Sequence, residues 1–215
     1  MTILTEGKHA AEFLVSEAAG SRSRERITVL SGETLVAGAV LGKVTVGAAT
    51  PAAFAGNAAN TGTIAAVTLG AGAKAGVYKV VIIEPATNAG KFTVEDPDGI
   101  TIGTGTVGVE FAGGGLTFTV ADGATDFSAG EGFTITVAAG SGKYREYDPA
   151  NTDGSQTAVA VLFAAVDATT ADRPGVAIVR DAEVNAAELS WFTGATADQK
   201  AAGLAQLAIA GIIGR

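Results

Sequence analysis

Apolar and polar residues alternate over several short stretches in the middle of the chain. Residues 116–120 alternate leucine, phenylalanine and valine with two threonines, and residues 133–137 repeat the pattern. Residues 77–84 form a third stretch, rich in valine and isoleucine. Because successive side chains of a strand point to opposite faces, a period of two predicts strands with one buried face. Turns rich in glycine and aspartate, such as residues 96–99, separate these strands, so the pattern predicts a small antiparallel β-sandwich.

The pattern changes towards the C-terminus. Residues 157–166 and 175–180 are predicted to be strands, and one convincing helix follows them. Thr196 is the expected N-cap, with Gln199 three residues later as the partner in a capping box. Gly211 is the expected stop signal of the helix. The chain is therefore predicted to be mainly β, with one C-terminal helix.

The first 25 residues show no clear periodicity and are predicted to form an arm that is extended or disordered when free. The arm combines a short apolar run with a cluster of arginines. A docking point for acidic protein groups and an ordinary solvated charge run remain alternatives for the arginines. The candidate docking residues are Phe13, Leu14, Val15, Arg22, Arg24 and Arg26.

Composition separates the middle of the chain from its flanks. Residues 46–138 contain no arginine, three lysines and eight acidic residues, and they hold 17 of the 30 glycines. The flanking segments carry all of the arginines. This difference predicts a separate domain at about residues 46–138.

Charge and cysteine content exclude several classes of function. The net charge of −8 repels nucleic-acid phosphates, so no nucleic-acid partner is expected. The absence of cysteine excludes disulfides, thiolate metal sites and cysteine catalysis. Residues 1–13 lack the apolar core of a signal peptide, and the longest apolar run, 158–166, is too short to span a membrane. No membrane association is therefore expected.

Several short motifs resemble catalytic or ligand-binding sites, but the residues around them do not complete any of these sites. Residues 103–108 match G-x-G-x-x-G, but the residues that follow do not predict the required helix. Residues 140–143 lack the remainder of a phosphate-binding loop, and Asp96 and Asp98 lack the other ligands of a calcium loop. His9, the single histidine, lies in the predicted arm. We therefore predict no catalytic residues, no metal ligands and no cofactor, and we expect that the protein is not an enzyme.

A family resemblance is carried by ordered runs in the C-terminal part and by one short run near the N-terminus. The runs are Val-Leu-Gly-Lys-Val-Thr at 40–45, Lys-Tyr-Arg-Glu-Tyr-Asp-Pro-Ala at 143–150, Asp-Gly-Ser-Gln-Thr-Ala at 153–158, the apolar run 159–166, Gly-Val-Ala-Ile-Val-Arg-Asp-Ala-Glu-Val-Asn at 175–185, Leu-Ser-Trp at 189–191, and residues 196–211. Together they resemble the lambda-like head decoration proteins of tailed phages. The resemblance covers roughly residues 25–45 and 140–215, and Phe192 departs from the proline that relatives often carry after the tryptophan.

The resemblance implies a fold and a domain organisation. Residues 1–45 and 139–215 would form a small, β-rich, β-tulip-like base that binds the capsid, with the arm at about residues 1–25. Residues 46–138 would form an immunoglobulin-like antiparallel β-sandwich inserted in a hairpin loop of that base. Loop closure depends only weakly on loop length, so such an insertion is physically easy.

The resemblance also implies a function and partners. The protein would be made in the host cytoplasm and would bind the major capsid protein on the outer surface of the virion capsid. It would sit there as a homotrimer at three-fold and quasi-three-fold sites and stabilise the capsid. Val159, Val161 and Trp191 are predicted to lie either in the trimer interface or in the core.

A phage tail or fibre component, or a bacterial surface adhesin, is the alternative reading. In that case the sandwich would bind a receptor or a glycan on the host surface. Glycan sites usually need exposed aromatic side chains, and most aromatic residues of the sandwich fall at core-facing positions by alternation.

Overall fold

The computed structural model describes residues 6–215 and is mainly β, with one long C-terminal helix, as the sequence predicts. The strands are β1 (Leu14–Glu17), β2 (Arg24–Val29), β3 (Thr34–Leu35), β4 (Val40–Lys43), β5 (Val46–Ala53), β6 (Gly62–Leu69), β7 (Gly76–Ala86), β8 (Ala89–Glu95), β9 (Thr101–Thr106), β10 (Glu110–Gly113), β11 (Leu116–Asp122), β12 (Gly132–Ala139), β13 (Tyr144–Glu146), β14 (Ala158–Leu162), β15 (Val166–Asp167), β16 (Arg173–Ile178), β17 (Ala182–Val184) and β18 (Ile212–Gly214). The helices are α1 (Gly20–Ser23), a 3₁₀ turn (Ala186–Glu188) and α2 (Ala197–Ile209).

The chain divides into two compact units. The base unit comprises the described residues up to Val44 together with Gly142–Asn151 and Ser155–Arg215. The inserted unit comprises Thr45–Ser141 and Thr152–Gly154. Each unit has a hydrophobic core of its own.

A closed five-stranded barrel forms the centre of the base unit, in the order β13-β2-β16-β14-β4. All neighbouring pairs are antiparallel except β13 and β2, which are parallel. Ile27 and Val29 on β2 and Leu41 on β4 point into one buried cluster with Leu162 on β14. Closure leaves the barrel with no free sheet edge.

A small sheet and the C-terminal helix pack on a second core of the base unit. The sheet has the order β1-β17-β18, and the two strands β3 and β15 form a separate pair. Helix α2 begins at the predicted capping box, in which Thr196 Oγ1 accepts from the Gln199 N–H and Gln199 Oε1 accepts from the Thr196 N–H. Its buried face contains Gly203 and Leu207, and Gly211 follows the helix with φ +77°. The predicted helix is thus confirmed.

The inserted unit is an antiparallel sandwich of a five-stranded sheet, β5-β12-β7-β8-β9, and a three-stranded sheet, β10-β11-β6. Leu116, Phe118 and Val120 of β11 are buried, as their alternation predicts. The ring of Phe92 in the larger sheet lies 6.0 Å from that of Phe118 in the smaller sheet, measured between centroids. The two inner faces therefore share one core.

The chain leaves the base unit and returns to it at adjacent points. Strands β4 and β13 pair antiparallel, with Lys43 opposite Tyr144. Beyond this pair the Val44 N–H donates to the Lys143 carbonyl, and the Gly142 N–H donates to the Val44 carbonyl, each at 2.9 Å. The long connection of residues 45–141 thus joins two neighbouring, hydrogen-bonded chain ends.

The prediction of an extended or disordered arm is wrong for residues 11–25, which belong to the folded base unit. The side chain of Phe13 is only 1 % exposed and packs in the same core as Val40 and Leu207. The next four residues form β1, which pairs with β17. The burial of Phe13 and the presence of β1 could not be predicted from the sequence pattern, because one inward-pointing side chain before a four-residue strand gives no periodicity. Residues 6–10 are exposed, and the part of the predicted arm at residues 1–5 lies outside the described residues.

Candidate docking surface

The three candidate arginines of the N-terminal segment have different surroundings. Arg22 Nε donates to Asp181 Oδ2 at 2.9 Å. Arg24 Nε donates to Glu17 Oε2 at 3.0 Å, and a second bond joins Arg24 Nη2 to Glu17 Oε1. Arg26 is exposed and has no ion pair or hydrogen bond to its guanidinium anywhere in residues 6–215. Two of the three charges are therefore already neutralised within the chain.

Arg24 and Glu17 form an ion pair between the end of β1 and the start of β2 in the base unit. The hydrogen bond from Arg24 lowers the pKa of Glu17, although partial burial opposes the shift, and a bond from the Ser23 hydroxyl at 2.5 Å adds to it. The same contact raises the pKa of Arg24. The guanidinium carbon of Arg24 also lies 4.0 Å from the centroid of the Phe163 ring. Such a charge-assisted pair with a cation–π contact fixes the position of both side chains.

A groove of about 330 Å³ lies beside Arg26 on the outside of the barrel. It runs between the segment after β14 and the start of β16. Its lining is apolar apart from Arg26 and consists of Phe163, Ala164, Ala165, Val166, Pro174, Gly175 and Val176. Arg26 and Val176 are paired residues of neighbouring strands, so the guanidinium stands at one wall of the groove. We call these eight residues the docking groove.

The apolar candidates of the N-terminal segment do not share one environment. Phe13 is buried in the core and Leu14 is half-buried, whereas Val15 is 58 % exposed. Strand β1 is the outer strand of its sheet, so the edge that does not face β17 is unpaired in the described chain. Of the three, Val15 alone offers a substantial surface to a partner.

The residues predicted for the trimer interface or the core differ in burial. Val161 has no exposed surface, and Val159 is half-buried against the barrel core. Trp191 is half-buried and stands edge-on to Tyr147, with ring centroids 6.0 Å apart. Since Val161 has no surface left to offer another subunit, it acts in the core of its own chain.

The sequence reading missed Phe163, Pro174 and Val176 as members of a surface groove. One signal was present, because the apolar run continues through Phe163 to Val166 after the buried strand ends at Leu162. When an apolar run extends beyond the end of a buried strand, its last side chains can lie on the surface. Nothing local indicated that this segment would lie beside Arg26.

The inserted unit holds its few polar clusters in structural roles. Asp96 accepts hydrogen bonds from the backbone N–H groups of Asp98 and Ile100, at 3.0 and 2.9 Å, and from Lys74 Nζ at 2.6 Å. These contacts lower the pKa of Asp96. The residues of the G-x-G-x-x-G match lie on β9 and in the turn after it, where they open no helix.

Within residues 6–215, no three His, Asp or Glu side chains are placed to share a metal ion. In the same residues no helix is both long and apolar enough to cross a membrane.

Comparison with known proteins gives one family. The family described as bacteriophage lambda head decoration protein D matches residues 3–92 and residues 67–212. A search of curated proteins found no match. Two crystal structures of Xanthomonas campestris FlgL align with 16 % identity and a TM-score of 0.34, covering 55 % and 54 % of this chain but 41 % and 40 % of the FlgL chain. The aligned part is thus well under half of FlgL, and the similarity is too low to carry an argument. The family match reaches from residue 3 to residue 212, and the chain therefore belongs to the bacteriophage lambda head decoration protein D family, whose members are structural proteins of the phage head.

Proposed function

We propose that the protein binds the outer surface of the assembled phage head as a homotrimer at three-fold and quasi-three-fold sites, and that it stabilises the capsid there. The family match over residues 3–212 is the observation that carries this proposal. A decoration protein associates with the capsid of the virion, so the capsid subunit is the partner.

A homotrimer supports this role physically. A cyclic trimer presents three copies of each contact, so contacts that are weak singly combine into a strong attachment across neighbouring capsid subunits. A clamp that spans several subunits resists their separation when packaged DNA presses outwards. Stabilisation follows because binding that is specific to the intact capsid shifts the equilibrium towards it.

We assign capsid binding to the base unit and treat the inserted unit as an addition to it. The base unit contains most of the residues that resemble the decoration family, including 143–150 and 175–185. The inserted unit offers little support for the adhesin alternative, because six of its seven aromatic side chains are buried and the seventh, Phe54, is half-buried. Glycan binding by stacking requires exposed rings.

Binding is tested by mixing the purified protein with expanded capsids of its own phage that were assembled without it. We expect cryo-electron microscopy to show three-fold density on the outer surface, and a higher temperature of capsid disruption. Capsids of an unrelated phage serve as the control. Absence of bound protein at saturating concentration would overturn the proposal, and so would binding away from the three-fold sites. Sedimentation of the free protein then decides whether the trimer forms before docking.

A further inference from the structure

Arg26 differs from three neighbouring arginines of the base unit in having no carboxylate partner within residues 6–215. Arg22 and Arg24 bond to carboxylates of their own chain, and so does Arg180, whose guanidinium contacts Glu25 and the Arg22 carbonyl. Arg26 lies on the same strand as Arg24 but reaches no acidic group in residues 6–215. Although the protein is acidic, with a net charge of −8, Arg26 thus has no carboxylate partner within residues 6–215 and stands at the wall of an apolar groove.

The docking groove is an open, mostly apolar surface, and specific contacts hold one of its walls in place. Its wall at Phe163 is fixed by the Arg24 guanidinium over the ring and by the Phe163 N–H bond to the Val176 carbonyl at 2.9 Å. Its floor is made of small side chains, Ala164 and Ala165, and of Gly175. The small side chains leave room for the main chain of a partner segment to approach closely.

We propose that the docking groove receives a segment of the capsid subunit that carries a carboxylate beside small apolar side chains. Charge complementarity identifies the occupant, because the carboxylate pairs with Arg26 while the apolar side chains cover the groove lining. A carboxylate that binds arginine in two-pronged geometry gains both energy and orientation, which fixes the register of the segment. This inference rests on the proposed function, because it names the surface through which the base unit holds the capsid.

Two substitutions test the two halves of the contact. Arg26→Glu reverses the charge at the wall, and Ala165→Trp fills the exposed floor without changing any charge. We expect each substitution to weaken binding to undecorated expanded capsids of the same phage by at least about tenfold. Loss of the charge pair and blocking of the groove should each reduce the binding free energy by at least the amount that corresponds to a tenfold change in affinity. Neither residue is buried in the core, so the thermal midpoint of the free protein should stay unchanged.

Matched controls lie on helix α2 of the same unit. Lys200→Glu makes the same change in charge at an exposed lysine, and Ala201→Trp adds the same ring at an exposed alanine. We expect both variants to bind capsids within about twofold of the parent protein, because an exposed site outside the interface contributes little. Loss of binding in these controls with normal binding of Arg26→Glu would place the docking surface on the helix and overturn the inference.

A photo-crosslinking residue at position 165 identifies the occupant directly. On decorated capsids we expect the crosslink to reach the capsid subunit, within a segment that contains Asp or Glu. A crosslink to a second copy of this chain would overturn the inference and make the groove part of the trimer contact. If the parent protein does not bind capsids at all, the proposed function fails instead, so the two failures are distinguishable.

Discussion

At the scale of single residues, Gly203 shows why a position in the middle of a helix can require glycine. A β-carbon built there would lie 2.5 Å from the Trp191 ring and 3.2 Å from Tyr147. Alanine is favoured over glycine inside a helix by about 1 kcal/mol. The clash outweighs this preference at Gly203, so alanine should lower the free energy of unfolding. Forcing extra atoms into a packed contact costs about 1–3 kcal/mol, and the ring of Trp191 is held by Tyr147.

We therefore expect Gly203→Ala to lower the free energy of unfolding of the base unit by about 0–2 kcal/mol, which is the overpacking cost less the helix gain. Urea unfolding followed by circular dichroism measures this. The smaller ring of Trp191→Phe should recover part of the loss in the double variant, as a coupling between neighbours. A stabilised Gly203→Ala variant would mean that Trp191 has room to move away.

Asp96 links the stability of the inserted unit to pH. Its pKa lies below the ordinary value of 3.8, mainly because of Lys74 and then because of the Ile100 N–H. A depressed pKa in the folded state means that the carboxylate stabilises the fold fully above about pH 4 and progressively less as the pH falls through the folded pKa. The turn at residues 96–100 should therefore loosen in acid.

Hydrogen exchange at the amides of Asp98 and Ile100 measures this loosening. We expect exchange to speed up between pH 4 and pH 2 after correction for the intrinsic rate. In Asp96→Asn exchange should already be faster at pH 7, because the ion pair with Lys74 is gone, and it should depend little on acid. Asp98→Asn, which leaves the bonds to Asp96 in place, is the control. Equal acid sensitivity in all three proteins would show that another group governs the turn.

At the scale of elements, the N-terminal segment divides into an exposed part and an anchored part. Residues 6–10 are exposed, whereas Phe13 is a core residue and β1 is paired with β17. Truncation of a large buried aromatic costs about 3–5 kcal/mol, even without the loss of a strand. Deletions that stop before and after Phe13 should therefore behave differently.

We expect deletion of residues 2–8 to leave the thermal midpoint within about 2 °C of the parent value, because the described residues in this range, 6–8, are exposed and exposed residues contribute little. Deletion of residues 2–20 should lower it by more than 10 °C, at about 4 °C or more for each kcal/mol lost. Differential scanning calorimetry compares the two. An unchanged midpoint after the longer deletion would mean that Phe13 and β1 add nothing to the fold.

At the scale of the whole molecule, the position of the inserted unit in the chain makes it removable. Residues 45–141 connect Val44 and Gly142, which are joined by a 2.9 Å hydrogen bond next to the antiparallel pair of β4 and β13. Without the insert these strands would form an ordinary hairpin, which a turn of two to five residues can close. The base unit keeps both of its cores in that case.

We expect a protein with residues 45–141 replaced by Gly-Asn-Gly-Ser to be folded, with native fluorescence of Trp191, and to bind capsids about as tightly as the parent protein. The dispersion of chemical shifts in a nuclear magnetic resonance spectrum checks that the shortened protein is folded. Co-sedimentation with capsids checks that it binds. Insolubility would show that the base unit depends on the inserted unit. A folded base that does not bind would move the capsid contact to the inserted unit.

Features with a local repeat or a local motif could be predicted from the amino-acid sequence alone. Alternation predicted β11 and β12, and the pair of Thr196 and Gln199 predicted the start of α2, because each signal lies within a few neighbouring residues. The family was also readable from ordered runs such as residues 143–150 and 175–185. These signals need no knowledge of distant contacts.

The residues that form the candidate surface could be identified only from the three-dimensional fold. The ion pair of Arg22 and Asp181 joins residues 159 positions apart, and the groove brings Arg26 beside Phe163. The base unit is built from strands of two to six residues, too short for their periodicity to reveal an inner face or a partner. Phe13 is buried and Arg26 borders the groove because of how distant strands close the barrel and its flanking sheet, whereas Glu17, the partner of Arg24, lies only seven residues away in sequence. The roles of Phe13 and Arg26 thus follow from pairing between parts of the chain that are far apart in sequence.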